Sequence, residues 1–573
     1  MEYGVCAVTH RTIVARNVAV AGTLKLELGS TNVAVVSSLL APPSPVDADA
    51  RALGRIAQGP VNSGPDNVYG FAETRPSAVA LIDARSGEVL TYGGLGARAN
   101  AIANALLAAG AQAGDVLASI QRNSFAQWEL VTAAFQIGLR VVPIASTSTR
   151  EEFEWILQDC APSIVVVDAP IVPHVEGVLP VTVATRIVVG GVQPGWVAFD
   201  QMRQSADIGS PRARQAGIFM HYTAGTTGRP KAVHRAMAHT PPELVAHRIA
   251  ETYTRTFHLP TDGVALLCSP AHHAAPGNFV WAMLNVGYPV VILDRFDAKA
   301  VLSAIRTHGI TTLSVVPTHV YRLLQALDQG RGGNCELLSL RTILVAGAAF
   351  PAHIKAHALA RLGPIVWELY AATEAFICAI SPEDALTHPG SVGKPNHVRI
   401  LNAKGSRVPR GEIGTVWFRL SSATRFHYTS QSATAARVRY ATCGDLGFLD
   451  VDGFLHLTDR RVDIITSGGI NISPREVEDV LSDMPATVEA IVVGVPDEEW
   501  GRRVVAVVEL YPKSDIDTAE SALRAQCTER LSSAKHPRQY IFVDELPRSA
   551  IGKPDRQKAV EVASNHPSLA SRT

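Results

Sequence analysis

The chain has 573 residues, 47% of them hydrophobic and 18% charged, and its 52 Lys plus Arg balance 52 Asp plus Glu. An apolar fraction near one half excludes a disordered chain, which could not bury enough surface to offset its ordering entropy. Charge balance excludes a protein that coats nucleic acid, yet it leaves room for small anionic substrates held by a few cations.

The first sixty-odd residues stand apart. Val33 to Leu40 is apolar, then Pro42, Pro43, Pro45, Gly59, Pro60, Gly64 and Pro65 punctuate the chain. This stretch is read as an N-terminal extension, 1–66, of unknown role. Met1-Glu2-Tyr3 lacks the positive start of a signal peptide, and Lys25 and Glu27 interrupt the longest apolar stretch. Seven scattered cysteines contain no C-x-x-C pair. A reduced, cytoplasmic chain without integral membrane association is expected.

From about Val68, β-branched runs alternate with amphipathic stretches. Val264–Cys268 and Val290–Leu293 read as buried strands. Asp297 should cap a helix with Val301, Leu302 and Ile305 at helical spacing, closed by Gly309, and Thr312–Val316 is the next strand. This β-α-β order predicts parallel sheets in an α/β fold, with sites at the strand carboxyl ends. After Leu457 a smaller unit follows. It has strands near Ile491–Gly494, Val504–Leu510 and Tyr540–Val543, and a helix near Thr518–Leu531. The expected division is a large domain, 67–458, and a small domain, 459–573.

The most informative segment is His221-Tyr222-Thr223-Ala224-Gly225-Thr226-Thr227-Gly228-Arg229-Pro230-Lys231. Two glycines let the backbone fold around an anion, the threonines add hydroxyl donors, and Lys231 adds charge. It is not a Walker A loop, which needs Gly before the Lys and Ser or Thr after it. A polar turn following a buried strand is the plainer alternative.

This segment resembles the Thr/Gly-rich loop of the AMP-forming adenylating superfamily, which includes acyl-CoA synthetases, firefly luciferase and peptide-synthetase adenylation domains. Further blocks match in order. They are Tyr370-Ala371-Ala372-Thr373-Glu374, Cys443-Gly444-Asp445 with Asp459-Arg460, Gly468 to Glu478, and Leu546 to Lys553. The resemblance covers about residues 68–560 and is strongest to bacterial fatty-acyl or aryl-CoA synthetases. It implies a large multi-sheet N-terminal domain carrying a small mobile α+β C-terminal domain.

The same resemblance implies ATP, Mg²⁺ and CoA as cofactors and co-substrates. Thr223, Gly225, Thr226, Thr227, Gly228 and Lys231 would hold the β- and γ-phosphates, with Tyr370, Asp445 and Arg460 completing the nucleotide site. Asp445 would accept the ribose hydroxyls, as a carboxylate can. Glu374 would bind Mg²⁺, a hard cation that takes oxygen ligands. Thr373 would donate to the α-phosphate, and Lys553 would bridge the acid and the α-phosphate. Singly, these residues also read as turn caps, helix caps or surface partners; their joint order carries the functional reading.

His273, Asn278, Ala348, Ala371 and Ala372 are the expected acyl-pocket residues, and Gly468, Gly469 and Trp500 the expected CoA path. Phe279, Trp281, Met283 and Leu284 read as an apolar pocket wall, or alternatively as a helix face packed into the core. Ser269 through Leu293 holds no Asp or Glu to pair with an ammonium, which disfavours α-amino acids. A medium-chain fatty or aromatic acid is therefore expected. The alternatives are transfer to a carrier protein or amine, activation of an oxyanion such as nitrite, and a non-catalytic nucleotide-binding relative. His234, His239, His247 and His258 lack compact zinc-ligand spacing. Ala224, Cys443, Ala371, Ala372 and Val462 depart from the family pattern, the last at the hinge position.

Overall fold

The computed structural model describes residues 66–205, 207–223, 230–330, 337–347, 350, 352–402, 404–420, 425–428, 439–460, 464–511, 514–547 and 556–566. Two large sheets organise it. In the first, six strands run in the order Val197–Ala198, Thr185–Val189, Ile164–Asp168, Val116–Ile120, Arg140–Pro143 and Ile218–Phe219. Every pairing in that sheet is parallel.

The second sheet has eight strands. Its order is Phe376–Ile380, Val366–Ala371, Thr342–Val345, Thr312–Val315, Ala265–Leu267, Val290–Ile292, Val79–Asp83 and Val89–Thr91. The predicted unit between Val264 and Val316 lies in it. Asp297 caps the helix Ala298–His308 by accepting from Ala300 N at 2.8 Å, and Gly309 ends that helix at φ 62°.

The largest core joins the two sheets. Leu117, Val141 and Ile164 of the first meet Leu81, Val290 and Leu344 of the second. Between them lies the helix Phe125–Gln136, buried continuously from Gln127 to Gln136. The helix Ala274–Val286 is similarly enclosed, with Phe279, Trp281, Met283 and Leu284 at most 4% exposed. A helix apolar all round belongs between layers. The pocket-wall expectation for these four residues is thereby corrected: Trp281 packs edge-on to Phe135 at 5.0 Å, inside the core.

Beyond these layers, a sheet of Val398–Leu401, Gly414–Arg419, Asp445–Leu449 and Leu455–Arg460, with Tyr440–Ala441 on the second strand, closes the large part. In the small part, Thr487–Asp497, Gly501–Leu510 and Gln539–Val543 form one sheet. Its two faces alternate. Val492, Val504 and Ala506 pack on Val477 and Leu523, whereas Val493, Val505 and Ile541 pack on Ala559 and Ala563. The first hairpin arm is longer than its sequence suggests, because Pro496 pairs within the ladder near the turn instead of ending it. Among the described residues no helix is long and apolar enough to cross a membrane.

One buried ion pair fixes the strand that leads into the candidate site. Lys355 Nζ donates to Glu368 Oε2 at 2.6 Å and to Ser391 O at 3.0 Å, with both side chains under 10% exposed. Lys355→Met would leave Glu368 buried without its partner, a change that typically costs about 3–5 kcal/mol. The unfolding midpoint in urea should fall sharply for that variant and recover substantially in Lys355→Met/Glu368→Leu.

Candidate active site

Four consecutive parallel strands end on the same side, each delivering a different segment. Ala265–Leu267 leads to His273, Thr312–Val315 to Val316 and Thr318, Thr342–Val345 to Gly347, and Val366–Ala371 to Thr373 and Glu374. Carboxyl ends of parallel strands are where open α/β sheets place ligands. The last strand then turns back. Ala372 and Ala375 exchange backbone hydrogen bonds at 2.8 and 3.1 Å, so Thr373 and Glu374 form the tip of a hairpin.

Two other sheets reach that tip. Glu374 is 6% exposed and its Oε1 accepts from the Tyr428 hydroxyl at 2.7 Å. Cys443 Sγ approaches Oε2 at 3.8 Å. Arg235 Nη2 donates to the carbonyls of Thr373, at 2.5 Å, and Glu374, at 3.0 Å. From the third sheet comes Asp445, 2% exposed, whose Oδ2 accepts from the Tyr370 hydroxyl at 2.6 Å. Gly444 precedes it at φ 81°, a left-handed turn that a side chain would strain. The ladder register sets Arg460 opposite Asp445, which brings together two residues fifteen apart in sequence.

Lys231 begins the strand Lys231–Arg235, opposite Thr223 on one neighbour. Val233 stands opposite Tyr428 on the other. Alternation then puts Lys231, Val233 and Arg235 on one face. Lys231 Nζ lies 5.9 Å from the Tyr428 ring centre. Contacts and strand register thus bring Thr223, Lys231, Tyr370, Thr373, Glu374 and Asp445 into one neighbourhood. Gly225, Thr226, Thr227, Gly228, Ala348, Val462 and Lys553 lie outside the described residues.

On the acyl side, His273 precedes the helix Ala274–Val286 and stacks at a tilt on His272, 4.2 Å between centres. His273 opens to solvent, yet the protein packed around it pushes its imidazole down to about 4. Asn278 and Ala371 are exposed, and Ala372 is half-buried. Gly468 and Gly469 turn between the strands Ile465–Ser467 and Ile470–Ile472. A Cβ on Gly469 would sit 2.6 Å from Val316 Cγ1, so this turn packs directly on the strand-end segments. Gly468 N donates to Trp500 O at 2.9 Å. The Trp500 ring lies between Arg322, at 5.1 Å, and Arg538, at 3.6 Å.

Three participants were not foreseen from the sequence: Arg235, Tyr428 and His221. His221 heads the Thr/Gly-rich segment but carried no assigned role, whereas Arg235 and Tyr428 fall in no motif block and reach Glu374 only through the strand register. The alternation Lys231, Val233, Arg235 was the one available signal. His221 is 4% exposed, and its Nε2 has no hydrogen-bond partner among the described residues.

Comparison with known proteins matches this architecture. Residues 69–427 fit the AMP-binding enzyme model, and residues 476–553 fit the AMP-binding enzyme C-terminal domain. The chain belongs to the AMP-binding enzyme family. It is 30% identical to the 2-succinylbenzoate–CoA ligase of Geobacillus kaustophilus over 83% of this chain and 94% of that one. Amide bond synthetase McbA from Marinactinospora thermotolerans superposes with a TM-score of 0.75 at 28% identity, over 85% of this chain and 97% of that one.

A double mutant of the o-succinylbenzoate CoA synthetase of Bacillus subtilis with a product analogue, OSB-NCoA, gives 0.73 at 26% identity, over 86% and 98% of the two chains. That synthetase in complex with its acyl-adenylate intermediate gives 0.60 at 26% identity, over 87% and 98%. This AMP-binding enzyme is an adenylate-forming ligase that acts on a small-molecule acid and ATP.

Burial, followed by the charges of Arg235 and His273, pushes the His221 imidazole down to about 3. An unfolded histidine titrates near ~6.5. Between these values the unfolded chain binds a proton that the folded chain refuses, so this contribution is complete above about pH 6.5 and declines as pH falls. Melting temperature should drop from pH 7 to pH 5 with a shallower slope in His221→Gln than in the parent. Equal slopes would contradict this account.

Proposed function

We propose that this ligase is an acyl-CoA synthetase for a medium-chain fatty or aromatic acid. The acid carboxylate attacks the α-phosphorus of ATP, displacing pyrophosphate and leaving an acyl-adenylate. The thiol of CoA then attacks the carbonyl and releases AMP. Because two anions must meet in the first step, positive charge has to be aimed where negative charge develops.

Thr223 and Lys231, with Gly225, Thr226, Thr227 and Gly228 between them, would hold the β- and γ-phosphates. Thr373 would donate to the α-phosphate, and Lys553 would join acid and phosphate from the small domain. Tyr370, Asp445 and Arg460 would bind the nucleoside. The donor set suits Mg²⁺: Glu374 offers carboxylate oxygens that Tyr428 occupies only in part, and it would hold the ion beside the phosphates. Bound there, Mg²⁺ would neutralise phosphate charge. His273, Asn278, Ala348, Ala371 and Ala372 would surround the acyl group.

The observation that carries this reading is that contacts from three sheets bring Glu374, Asp445 and Lys231 around one strand-end hairpin. Thioester formation has one structural support: Gly468 and Gly469 pack on the strand-end segments beside Trp500, where a pantetheine would enter. In this reading residues 459–573 form the lid over 67–458. Transfer to an amine is the second reading, favoured by the likeness to an amide bond synthetase.

AMP release across fatty, aryl and amino acids and nitrite, with and without CoA, separates these readings. CoA-dependent turnover of a fatty or aryl acid is expected. Amine-dependent turnover indifferent to CoA would favour the second reading. Lys553→Ala should lower acid-dependent ATP–pyrophosphate exchange by about 100-fold, typical of losing one transition-state contact. Consumption of supplied acyl-adenylate should survive much better in that variant, and undiminished exchange would refute the role.

A further inference from the structure

Arg235 is a half-buried cation whose position has no part in the mechanism above. Its Nη2 reaches over from the strand Lys231–Arg235 to two successive carbonyls, those of Thr373 and Glu374. These carbonyls sit at the tip of the hairpin, beyond the last ladder pair, where among the described residues no neighbouring strand supplies a backbone donor. The strand itself is anchored on both sides. It pairs with Tyr222–Thr223 and with Phe426–Tyr428, and the Arg235 carbonyl accepts from Arg140 Nη1 at 2.9 Å.

We propose that Arg235 is a positioning residue for the adenylation step, tying the Thr373–Glu374 tip to the strand that carries Lys231. The proposal rests on the reading of Lys231, Thr373 and Glu374 given above. Lys231 and Arg235 are four steps apart along the strand, a rigid span of about 13 Å at ~3.3 Å per residue. One end addresses the phosphates and the other holds the backbone of the tip. The distance between the phosphate cation and the Glu374 carboxylate is then set by a paired strand instead of by a free loop.

Tyr428 reinforces the arrangement from the adjacent strand by fixing Oε1 of Glu374. A guanidinium suits the task because its planar fork presents several donors at fixed angles, whereas an ammonium is a compact point charge. Displacing a reacting group by about 1 Å can cost on the order of 100-fold in rate.

The test is acid-dependent ATP–pyrophosphate exchange in Arg235→Gln, Arg235→Lys and Glu374→Gln, with unfolding midpoints measured alongside. Arg235→Gln should lower kcat by about 100-fold while the KM for the acid stays within about twofold. Arg235→Lys, which keeps the charge but loses the planar fork, should fall between Arg235→Gln and the parent at an unfolding midpoint close to the parent's.

A kcat for Arg235→Gln within about twofold of the parent would overturn the proposal. So would equal losses in both Arg235 variants that track a falling midpoint and a rising acid KM, since that pattern marks a purely structural role. If Arg235→Gln does not fold, Arg235→Lys decides alone: a parental kcat overturns the proposal. Glu374→Gln separates the two levels. Parental exchange in that variant would refute the reading of the site itself, whereas an inactive Glu374→Gln beside a normal Arg235→Gln would refute only the tether.

Discussion

Everything at the candidate site depends on the placement of one two-residue hairpin tip. Thr373 and Glu374 belong to the edge of the eight-stranded sheet, but contacts from two other sheets hold them. Tyr370, at the end of the same strand, bonds Asp445 of the antiparallel sheet. Arg235 and Tyr428, from the three-stranded sheet, grip the tip. A hairpin at a sheet edge would otherwise be free to move, and a carboxylate there could not be aimed. Hydrogen bonds to charged groups contribute about 1.5–3 kcal/mol each, so several acting together specify one geometry.

The layers behind the tip explain why the site can be stiff. The helix Phe125–Gln136 and the helix Ala274–Val286 are enclosed between two sheets, so the strand ends rest on a continuous core. The small part meets this platform through charge. Lys535 bridges Glu152 of the large part and Glu476 of the small one, and Arg322 pairs with Glu499. Glu152 also closes the capping box of the helix Arg150–Cys160 with Thr149. Such polar partners can be solvated when two parts of a chain separate, although Gly469 also packs on Val316 here.

The sequence was most legible where chemistry and spacing coincide. The Asp297 cap, the Gly309 stop and the strand that follows lie where local patterning placed them. So do the strands of the small part, apart from the arm that runs on through Pro496. Ordered motif blocks brought Tyr370, Glu374, Asp445 and Lys231 into one proposed site before any geometry was known. Illegible were the features that exist only across strands. Arg235 looks like an ordinary charged residue until its ladder partners are known. Tyr428 reads as a strand aromatic until it is found on Glu374. Phe279 and Trp281 misled in the opposite direction, because an apolar helix between two sheets and an apolar pocket wall share one pattern.

The account's central claim is that the acid's own oxygen is joined to the α-phosphorus of ATP. Turnover of a carboxylate-¹⁸O-labelled acid, followed by mass analysis of the nucleotide product, measures this directly. One labelled oxygen should appear in each AMP, with pyrophosphate as the other product. Unlabelled AMP, or formation of ADP and phosphate, would contradict it.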